Sequence, residues 1–193
     1  YLDYLEVESL ADAADGLLTK YGHPAAGVPE RVHSTLIRSL AYTGMRPGEA
    51  LAMKVKHAVH DSPKPVFEIR STLIEDDRTA EVYLDVPKDH EARDSPMPQS
   101  LLEDIAALCV GKNPDDFVFS ADGKTPLRLR NWRTRVFNRA RAAAKLPDKL
   151  TPHKLRHTAA SLAIRAGASV LSVQRLLGHA SPTETLRTYA HLW

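Results

Sequence analysis

The segment from Thr151 to Trp193 contains a closely spaced series of helix start and stop signals. Each start has a residue whose side chain can cap a helix N-terminus, and two starts also have a proline at the first helical position. Each stop is a glycine, which readily adopts the left-handed conformation that ends helices. The starts are Thr151–Pro152, Ser169 and Ser181–Pro182, and the stops are Gly167 and Gly178. These signals predict three short helices that are joined by tight junctions.

The residues before Thr151 predict further helices. Apolar residues at helical spacing favour a helix within residues 7–18 and a buried helix that ends at Gly44. Pro47 is placed to start another helix. Ser100 and Glu103 have the spacing of a capping box, which predicts that Ser100 caps a helix starting at Leu101.

One region of the chain has a different character. Short β-branched and aromatic runs between Val66 and Met97 predict a small antiparallel three-stranded sheet. Residues 115–120 predict another short strand, which a turn follows. Together with the helices, these runs predict the α+β class, as a mostly helical single domain with a small sheet inserted.

The bulk properties exclude several classes of protein. The chain has 193 residues, enough for one well-buried domain, and it has no apolar run of membrane-spanning length and no signal-peptide pattern. Its one cysteine, Cys109, excludes an internal disulfide and favours an intracellular compartment. We interpret Cys109 as a small core residue. The net charge of +2 does not by itself indicate a nucleic-acid partner, because phosphate binding needs positive charge gathered on one surface.

Arginines are concentrated in one predicted helix, residues 130–145. One side of this helix is apolar, and the other sides carry Arg130, Arg133, Arg135, Arg139 and Arg141. The helix contains no acidic residue that could pair with these arginines at i,i+4 spacing. A solvated charged face and a surface that contacts a polyanion are therefore equally open interpretations.

Helix signals do not account for His153, Arg156, His179 and Tyr189. Each histidine could be a satisfied polar group near a helix end. His153, His157 and His179 could bind a metal ion, although no carboxylate or cysteine accompanies them and Arg156 would repel a cation. Alternatively, His153, Arg156, His179 and Tyr189 could form a site for phosphoryl transfer in which the tyrosine is the nucleophile. Arginine binds phosphate bidentately, and histidine transfers protons near neutral pH.

A tyrosine-based phosphate site would need a second arginine, and the motif TGMRPGEAL supplies one. Arg46 lies where one predicted helix ends at Gly44 and the next starts at Pro47. Glu49, three residues later, is placed to hold the guanidinium of Arg46 by an ion pair. Taken alone, this motif is also compatible with a simple corner between two helices.

Four motifs occur along the chain in the order TGMRPGEAL, HKLRHTAAS, LLGHAS and TLRTYAHL. In this order and separation they resemble the catalytic domain of the tyrosine recombinases, within the group of integrases common in actinobacteria and their phages. The resemblance extends over nearly the whole chain, from the helix before Arg46 to Tyr189. It implies the tyrosine-recombinase catalytic fold and site-specific cleavage and rejoining of DNA strands, as in DNA integration.

The resemblance implies a role for each matched residue. Arg46 and Arg156 correspond to the two arginines that clamp the scissile phosphate. Tyr189 corresponds to the nucleophile, which forms a 3′-phosphotyrosyl link and frees a 5′-hydroxyl. His153 corresponds to a histidine that assists proton transfer at the tyrosine, and His179 corresponds to one that hydrogen-bonds the phosphate.

Other residues are implied in supporting positions. Glu49 corresponds to an acidic residue that supports the first arginine, and His157 is expected to have a structural role. Arg130 and Arg133 lie where relatives touch DNA. The resemblance implies no metal, nucleotide or other cofactor.

The family also uses a lysine on a hairpin of the sheet as the general acid for the leaving 5′ oxygen. Within the stretch VPKDHEARDSPMP, Lys88 is the residue that corresponds to it. This stretch is more acidic and slightly shorter than the family pattern, so Lys56 and Lys64 remain alternatives.

The resemblance also bears on the extent of the chain and on its partners. Residues 1–193 correspond to a catalytic-domain fragment without the family's N-terminal core-binding domain and without most of its C-terminal tail. The implied partner is double-stranded DNA with attachment-type core sites, bound by a homotetramer on synapsed DNA that forms from free monomers. DNA-bending or excisionase proteins would be accessory partners. The expected location is the cytoplasm of a bacterial host cell, with no membrane association.

Two other functions remain open. A type IB topoisomerase-like enzyme would use the same phosphotyrosyl chemistry to nick and reseal DNA, although the short spacing from His179 to Tyr189 favours recombination. A catalytically inactive DNA-binding module would keep the fold with a decayed site. Against this second alternative, the two arginines, the two histidines and the tyrosine of the family pattern are all present, and only the assignment of the lysine is open.

Overall fold

The structure, a computed structural model, describes residues 1–20, 31–76, 78–79, 81–86 and 92–193. The helices are α1 (Tyr4–Lys20), α2 (Val32–Thr43), α3 (Pro47–Leu51), α4 (Leu102–Cys109), α5 (Leu129–Trp132), α6 (Asn138–Ala143), α7 (Pro152–Arg165), α8 (Val170–Leu177) and α9 (Pro182–Tyr189). A π-helical turn, Arg133–Phe137, joins α5 to α6, and 3-10 turns lie at Val55–His57, Gln99–Leu101 and Ala190–Leu192. In the described part of the chain, none of the helices has both the length and the apolar character needed to cross a membrane.

The strands form two small antiparallel sheets. β1 (Ala58–Val59), β2 (Val66–Ile69) and β5 (Arg93–Pro96) make a three-stranded sheet in the order β1–β2–β5. β3 (Thr72–Glu75) and β4 (Val82–Asp85) pair with each other in a separate hairpin. The predicted α+β class is confirmed. The runs between Val66 and Met97 form antiparallel strands as predicted, but they divide between two sheets: β3 and β4 pair as a hairpin, whereas β2 and β5 join β1, which lies before Val66.

Most of the predicted helix ends are where local sequence signals place them. Ser169 Oγ accepts a hydrogen bond from Ser172 N at 3.2 Å, and Ser181 Oγ caps α9 in the same way. Gly44 and Gly178 follow α2 and α8 with φ values of 68° and 64°, in the left-handed region. Thr151 lies directly before α7, which starts at Pro152 as predicted. Its side chain, however, makes no capping hydrogen bond.

The capping box predicted at Ser100 is wrong. Leu101 N donates a hydrogen bond to Pro98 O at 2.9 Å, which closes a 3-10 turn over Gln99–Leu101. Ser100 therefore lies inside that turn, and α4 begins afterwards at Leu102 with no side-chain cap.

The strand predicted over residues 115–120 does not form either. Phe117 pairs with Lys54 only as an isolated bridge, and its N–H bonds to the oxygen of Gly123. Val118 N instead donates to Met53 O at 2.9 Å. Because neighbouring backbone groups bond to different segments, no continuous ladder develops.

The core is built around α2, which packs against α1 on one side and α7 on the other. A second, smaller cluster joins the last three helices through Ala160, Ile164, Val173, Leu177 and Tyr189. Cys109 is buried, as its interpretation as a core residue requires. The smaller cluster fixes α9, and with it the side chain of Tyr189, on the face made by α7 and α8.

The arginine-rich segment separates its two faces as predicted. Trp132 and Phe137 are buried, with ring centroids 5.6 Å apart. Arg130 and Arg133 are exposed, whereas Arg141 pairs with Asp148 at 3.2 Å beyond the end of the helix. The outward side of this segment thus presents positive charge to solvent.

Candidate active site

Arg46 is held at the start of α3 by a carboxylate from the next turn. Its backbone N donates to Glu49 Oε2 at 2.8 Å, and its Nη1 lies 3.1 Å from Glu49 Oε1. The ion pair predicted from the spacing of these two residues is therefore present. Glu49 is 1% exposed, so this carboxylate is an internal anchor for positive charge.

A third arginine, which the sequence analysis did not identify, binds the same carboxylate. Arg93 enters on β5 opposite Ile69 and donates to both oxygens of Glu49, at 2.8 and 2.7 Å. Its side chain is only 12% exposed. Two guanidinium groups on one buried carboxylate lower the pKa of Glu49, although burial acts in the opposite direction. Glu49 therefore stays ionised at neutral pH.

Arg156 projects from α7 towards the junctions that precede α3 and follow α8. Its Nη1 donates to Gly44 O at 2.7 Å and its Nη2 donates to Leu177 O at 2.5 Å. Burial, together with the positive charge of Arg46, lowers the pKa of Arg156 to about 10. The guanidinium therefore remains charged at neutral pH, and its hydrogen bonds to these two carbonyl groups fix its position.

We call Arg46, Arg93 and Arg156 the arginine cluster. The three guanidinium groups are close enough that Arg46 and Arg93 both lower the pKa of Arg156, and Glu49 is the acidic group that opposes them. Because three positive charges share one carboxylate, the cluster keeps an excess of positive charge. Such an arrangement favours an anion, and the planar fork of arginine suits phosphate.

His179 lies at the junction between α8 and α9, directly after Gly178. Its Nδ1 is 2.9 Å from Thr185 Oγ1, and its Nε2 is 3.8 Å from Glu184 Oε1. Burial and the nearby charge of Arg156 lower the pKa of His179. The structure thus places this imidazole beside the arginine cluster, and its lowered pKa favours the neutral form at neutral pH.

Tyr189 ends α9 and is almost fully buried, with 1% of its surface exposed. Its hydroxyl lies 2.6 Å from Nδ1 of His157, which had been expected only to support the structure. Burial raises the pKa of Tyr189 to about 12, while Arg156 acts in the opposite direction. The phenol is therefore protonated at neutral pH and lies within the electrostatic influence of the cluster.

His153 lies in a cleft of about 760 Å³ that Arg130 and Arg133 also line. It is exposed there, and partial desolvation together with the charges of Arg133 and Arg156 lowers its pKa. Glu75 borders the same cleft, where its carboxylate accepts hydrogen bonds from the first backbone N–H groups of the arginine-rich segment. The cleft brings both predicted DNA-contacting arginines next to His153.

Lys88, the predicted general acid, lies outside the described residues. Of the two alternatives, Lys56 has its Nζ 2.6 Å from Asp115 Oδ1, and Lys64 is exposed. The assignment of the general acid therefore stays a prediction.

The described residues do not offer a metal site. Within them, no group of three or more His, Cys, Asp or Glu side chains is placed to hold a metal ion. Nδ1 of His157 and Nδ1 of His179 are instead hydrogen-bonded to Tyr189 and Thr185. The three histidines considered as metal ligands thus make separate interactions.

The chain matches the model of a known protein family. The model of the phage integrase family matches residues 2–193 of the chain. The chain belongs to the phage integrase family. The resemblance drawn from the four motifs is thereby confirmed.

Curated relatives of this family member include two tyrosine recombinases. The XerC protein of Nitrobacter winogradskyi is 32% identical over 156 residues, which cover 77% of this chain and 43% of that protein. The XerA protein of Saccharolobus solfataricus is 29% identical over 157 residues, which cover 81% of this chain and 45% of that protein. This phage integrase family chain thus spans less than half the length of these two relatives.

Solved structures show that the fold is shared. The Tn1549 transposon integrase, in complex with circular intermediate DNA, matches with a TM-score of 0.75 at 22% identity, over 98% of this chain and 62% of that one. The crystal structure of XerA recombinase matches with a TM-score of 0.67 at 20% identity, over 99% of this chain and 64% of that one. The catalytic-domain fold predicted for this phage integrase family member is confirmed.

Sequence reasoning missed Arg93 and the contact of His157 with Tyr189. The only available signal for Arg93 was strand alternation, which puts Arg93 and Ser95 on one face of β5. The structure shows that this face points inward, because Ser95 is buried with its hydroxyl bonded to Thr43 O. Two polar residues on an inward face indicate a buried polar network. No comparable signal linked His157 to Tyr189, since α7 and α9 meet only in the folded chain.

Proposed function

We propose that this chain is the catalytic domain of a site-specific DNA recombinase, an integrase, in which Tyr189 is the nucleophile. One observation carries this proposal. The helix that ends with Tyr189 is packed onto α7 and α8, so that the phenol and Arg156 each affect the other's pKa. A protonated nucleophile beside fixed guanidinium groups is the arrangement that phosphoryl transfer through tyrosine needs.

In this proposal the arginine cluster binds the scissile phosphodiester. Arg46 and Arg156 donate to its non-bridging oxygens, and they stabilise the negative charge that accumulates there in the transition state. His179, neutral and adjacent, adds a hydrogen bond to the same phosphate. Arg93 keeps Glu49 in place and so positions Arg46.

The proposed reaction exchanges one phosphoester bond for another and so needs no external source of energy. The oxygen of Tyr189 attacks phosphorus, the phenol proton leaves, and the bond from phosphorus to the 5′ oxygen breaks. The 5′ oxygen takes up a proton, for which the resemblance implies Lys88 as donor. The 3′-phosphotyrosyl link retains the energy of the broken bond, so a 5′-hydroxyl of a partner strand can reverse the step. The proposed mechanism uses neither a metal ion nor ATP.

The DNA would lie across the cleft that Arg130, Arg133 and His153 line. Exposed arginines on the outward side of a helix contact phosphates or base edges in a groove. Among structural relatives, the Tn1549 integrase is in complex with DNA and XerH recombinase is bound to its difH substrate. We propose the same class of partner, double-stranded DNA, for this chain.

The proposed assembly follows the family pattern. Free chains would be monomers, and a homotetramer would form on two synapsed DNA sites, assisted by DNA-bending or excisionase proteins. The proposed setting is the cytoplasm of a bacterial host.

A nicked suicide duplex tests the proposal directly. We expect the chain to form a covalent adduct, stable to denaturation, with a pool of nicked duplexes that carry randomised core sequences. Tyr189→Phe should abolish it, and chelation by EDTA should leave it unchanged. Equal trapping by Tyr189→Phe, or no adduct from any duplex, would contradict the proposal. Adducts that reseal but never exchange strands would favour the topoisomerase-like alternative, and DNA binding without adducts would favour the inactive module.

The salt dependence of DNA binding tests the proposed surface. Arg130→Ala and Arg133→Ala should each weaken binding and should lower the slope of log affinity against log salt by about one, since each contact with a phosphate releases about one counterion. Arg165→Ala is the matched control, because Arg165 is exposed at the opposite end of α7 from His153. An equal slope change in the control would contradict the placement of DNA in the cleft.

A further inference from the structure

The hydroxyl of Tyr189 and the imidazole of His157 form a direct contact. Oη lies 2.6 Å from Nδ1, and the ring centroids are 5.7 Å apart with an angle of 57° between the planes. Because Tyr189 is buried to 1% exposure, this imidazole replaces water as a partner of the phenol. The pair therefore joins the proposed nucleophile to a group that can take its proton.

The surroundings of His157 favour the form that accepts a proton. Burial, followed by the positive charges of Arg156 and Lys154, lowers the pKa of His157. A neutral imidazole that carries its hydrogen on Nε2 has a free lone pair on Nδ1. The phenol then donates and Nδ1 accepts.

A proton on His157 would also have a route out of the site. His157 lines a surface cavity of about 340 Å³ together with Glu6, Lys149 and Lys154. Water in a cavity of this size can exchange protons with the imidazole. The acceptor can thus be reset after each turnover.

His153 is placed differently from His157. It is exposed in the cleft with Arg130 and Arg133, whereas the contact with the phenol is made one helical turn later by His157. Since a proton acceptor must lie within hydrogen-bond distance of the proton it removes, the geometry favours His157 for this step. His153 faces the region where the DNA is proposed to lie.

We propose that His157, through Nδ1, is the general base that removes the proton of Tyr189 as its oxygen attacks phosphorus. This inference rests on the proposed function. The proton moves from Oη to Nδ1, the bond from Oη to phosphorus forms, and the bond from phosphorus to the 5′ oxygen breaks. The 5′ oxygen receives a separate proton from the general acid. On religation a proton passes from Nδ1 back to Oη, as reversal of the step requires.

The hydrogen bond can be measured in the free chain, without DNA. Nitrogen-15 NMR of the imidazoles should show His157 as the tautomer with hydrogen on Nε2, with an Nδ1 resonance that shifts in Tyr189→Phe. Nδ1 carrying the hydrogen in the unmodified chain would overturn the inference, because that nitrogen could not accept a proton.

Cleavage kinetics then test the step itself. His157→Gln, which keeps a polar group of similar reach but cannot accept the proton, should slow adduct formation by about 10²-fold or more. Replacing Tyr189 with difluorotyrosine, whose phenol is more acidic, should restore at least about tenfold in this variant and change the unmodified chain little. His153→Gln is the matched control, in which the more acidic phenol should restore nothing.

The outcomes separate this inference from the proposed function. If the unmodified chain forms adducts and His157→Gln forms them as fast, His157 is not the base and the recombinase proposal stands. If difluorotyrosine restores His153→Gln instead, His153 holds the role. If the unmodified chain forms no adduct, the proposed function itself fails. Should His157→Gln not fold, as judged by circular dichroism, the NMR measurement on the unmodified chain still decides the direction of the hydrogen bond.

Discussion

Glu49 is the residue on which the geometry of the arginine cluster depends. Its carboxylate is buried, and it accepts hydrogen bonds from the backbone and side chain of Arg46 and from two nitrogens of Arg93. A buried charge is tolerated only when it is paired, and removing one partner leaves it uncompensated. The positions of the cluster and the stability of the fold are therefore linked through one side chain.

Arg93→Ala should lower both stability and cleavage. We expect the free energy of unfolding to fall by about 3 kcal/mol, because Glu49 loses a bidentate partner inside the protein. Urea unfolding measures this change, and the suicide duplex measures the accompanying loss of adduct. Arg70→Ala is the control, since Arg70 pairs with the half-exposed Asp94 at 2.8 Å and should cost less than about 1 kcal/mol. Equal losses in the two variants would contradict the role given to Arg93.

Contacts between residues close in sequence were predictable, and contacts across the fold were not. The pair of Arg46 and Glu49 follows from a spacing of three at a helix start, where a side chain reaches back to the first residue. Arg93 reaches Glu49 only because β5 pairs with β2 beside α3. His157 meets Tyr189 only because α9 packs on α7.

The junction between α8 and α9 brings backbone and side chains unusually close together. Gly178 has a φ of 64°, and a Cβ built on it would lie 2.6 Å from Cδ of Arg93. The absence of a side chain at this position is thus required twice, by the left-handed backbone and by the arginine that packs on it. The turn that presents His179 also fixes Arg93.

Gly178→Ala should therefore be more harmful than an equivalent change elsewhere. Gly167→Ala is the matched control, because Gly167 also has a positive φ, 86°, but nothing lies within 4 Å of its added Cβ. We expect a cost of about 1 kcal/mol at Gly167, from backbone strain alone. Gly178→Ala should cost more and should also reduce adduct formation by displacing Arg93. Similar unfolding midpoints and similar cleavage in the two variants would contradict this account.

Among the elements, helix ends were the easiest feature to predict. Glycine and serine signals act within a few residues, so Gly44, Gly178, Ser169 and Ser181 all behave as expected. The prediction for Ser100 failed because a 3-10 turn over Gln99–Leu101 moved the helix start by one residue, from Leu101 to Leu102. The β3–β4 hairpin was predictable from the two runs that flank its turn, but sheet order depends on tertiary packing, so the pairing of β2 with β1 and β5 in a separate sheet was not.

Over the whole molecule, α7 organises the site. It is packed against α2, and it carries His153, Arg156 and His157 from one turn of helix into three different environments. Their spacing at i, i+3 and i+4 puts these residues on one flank of a helix, but it does not show which of them meets Tyr189. That outcome is decided by the packing of the last three helices.

Partial burial of several histidines predicts a loss of stability in mild acid. His33, His153, His157 and His179 all have a lowered pKa, with desolvation as the largest cause. The unfolded chain therefore binds more protons than the folded chain as the pH falls through about 6.5, and the free energy of unfolding should decrease from pH 7 to pH 5. Urea unfolding across this range measures the slope. His33→Gln, which lies outside the site, should make the slope shallower, and a flat or inverted slope in the unmodified chain would contradict the assignment.

The most direct measurement is to locate the covalent bond to DNA. Trypsin cuts after Arg187, so the adduct from a suicide duplex should yield the peptide Thr188–Trp193 with a 3′-linked nucleotide. Mass spectrometry should place that nucleotide on Tyr189, and the modified peptide should be missing from Tyr189→Phe. A nucleotide on any other residue, or a modified peptide that persists in Tyr189→Phe, would contradict the assignment of Tyr189 as the nucleophile.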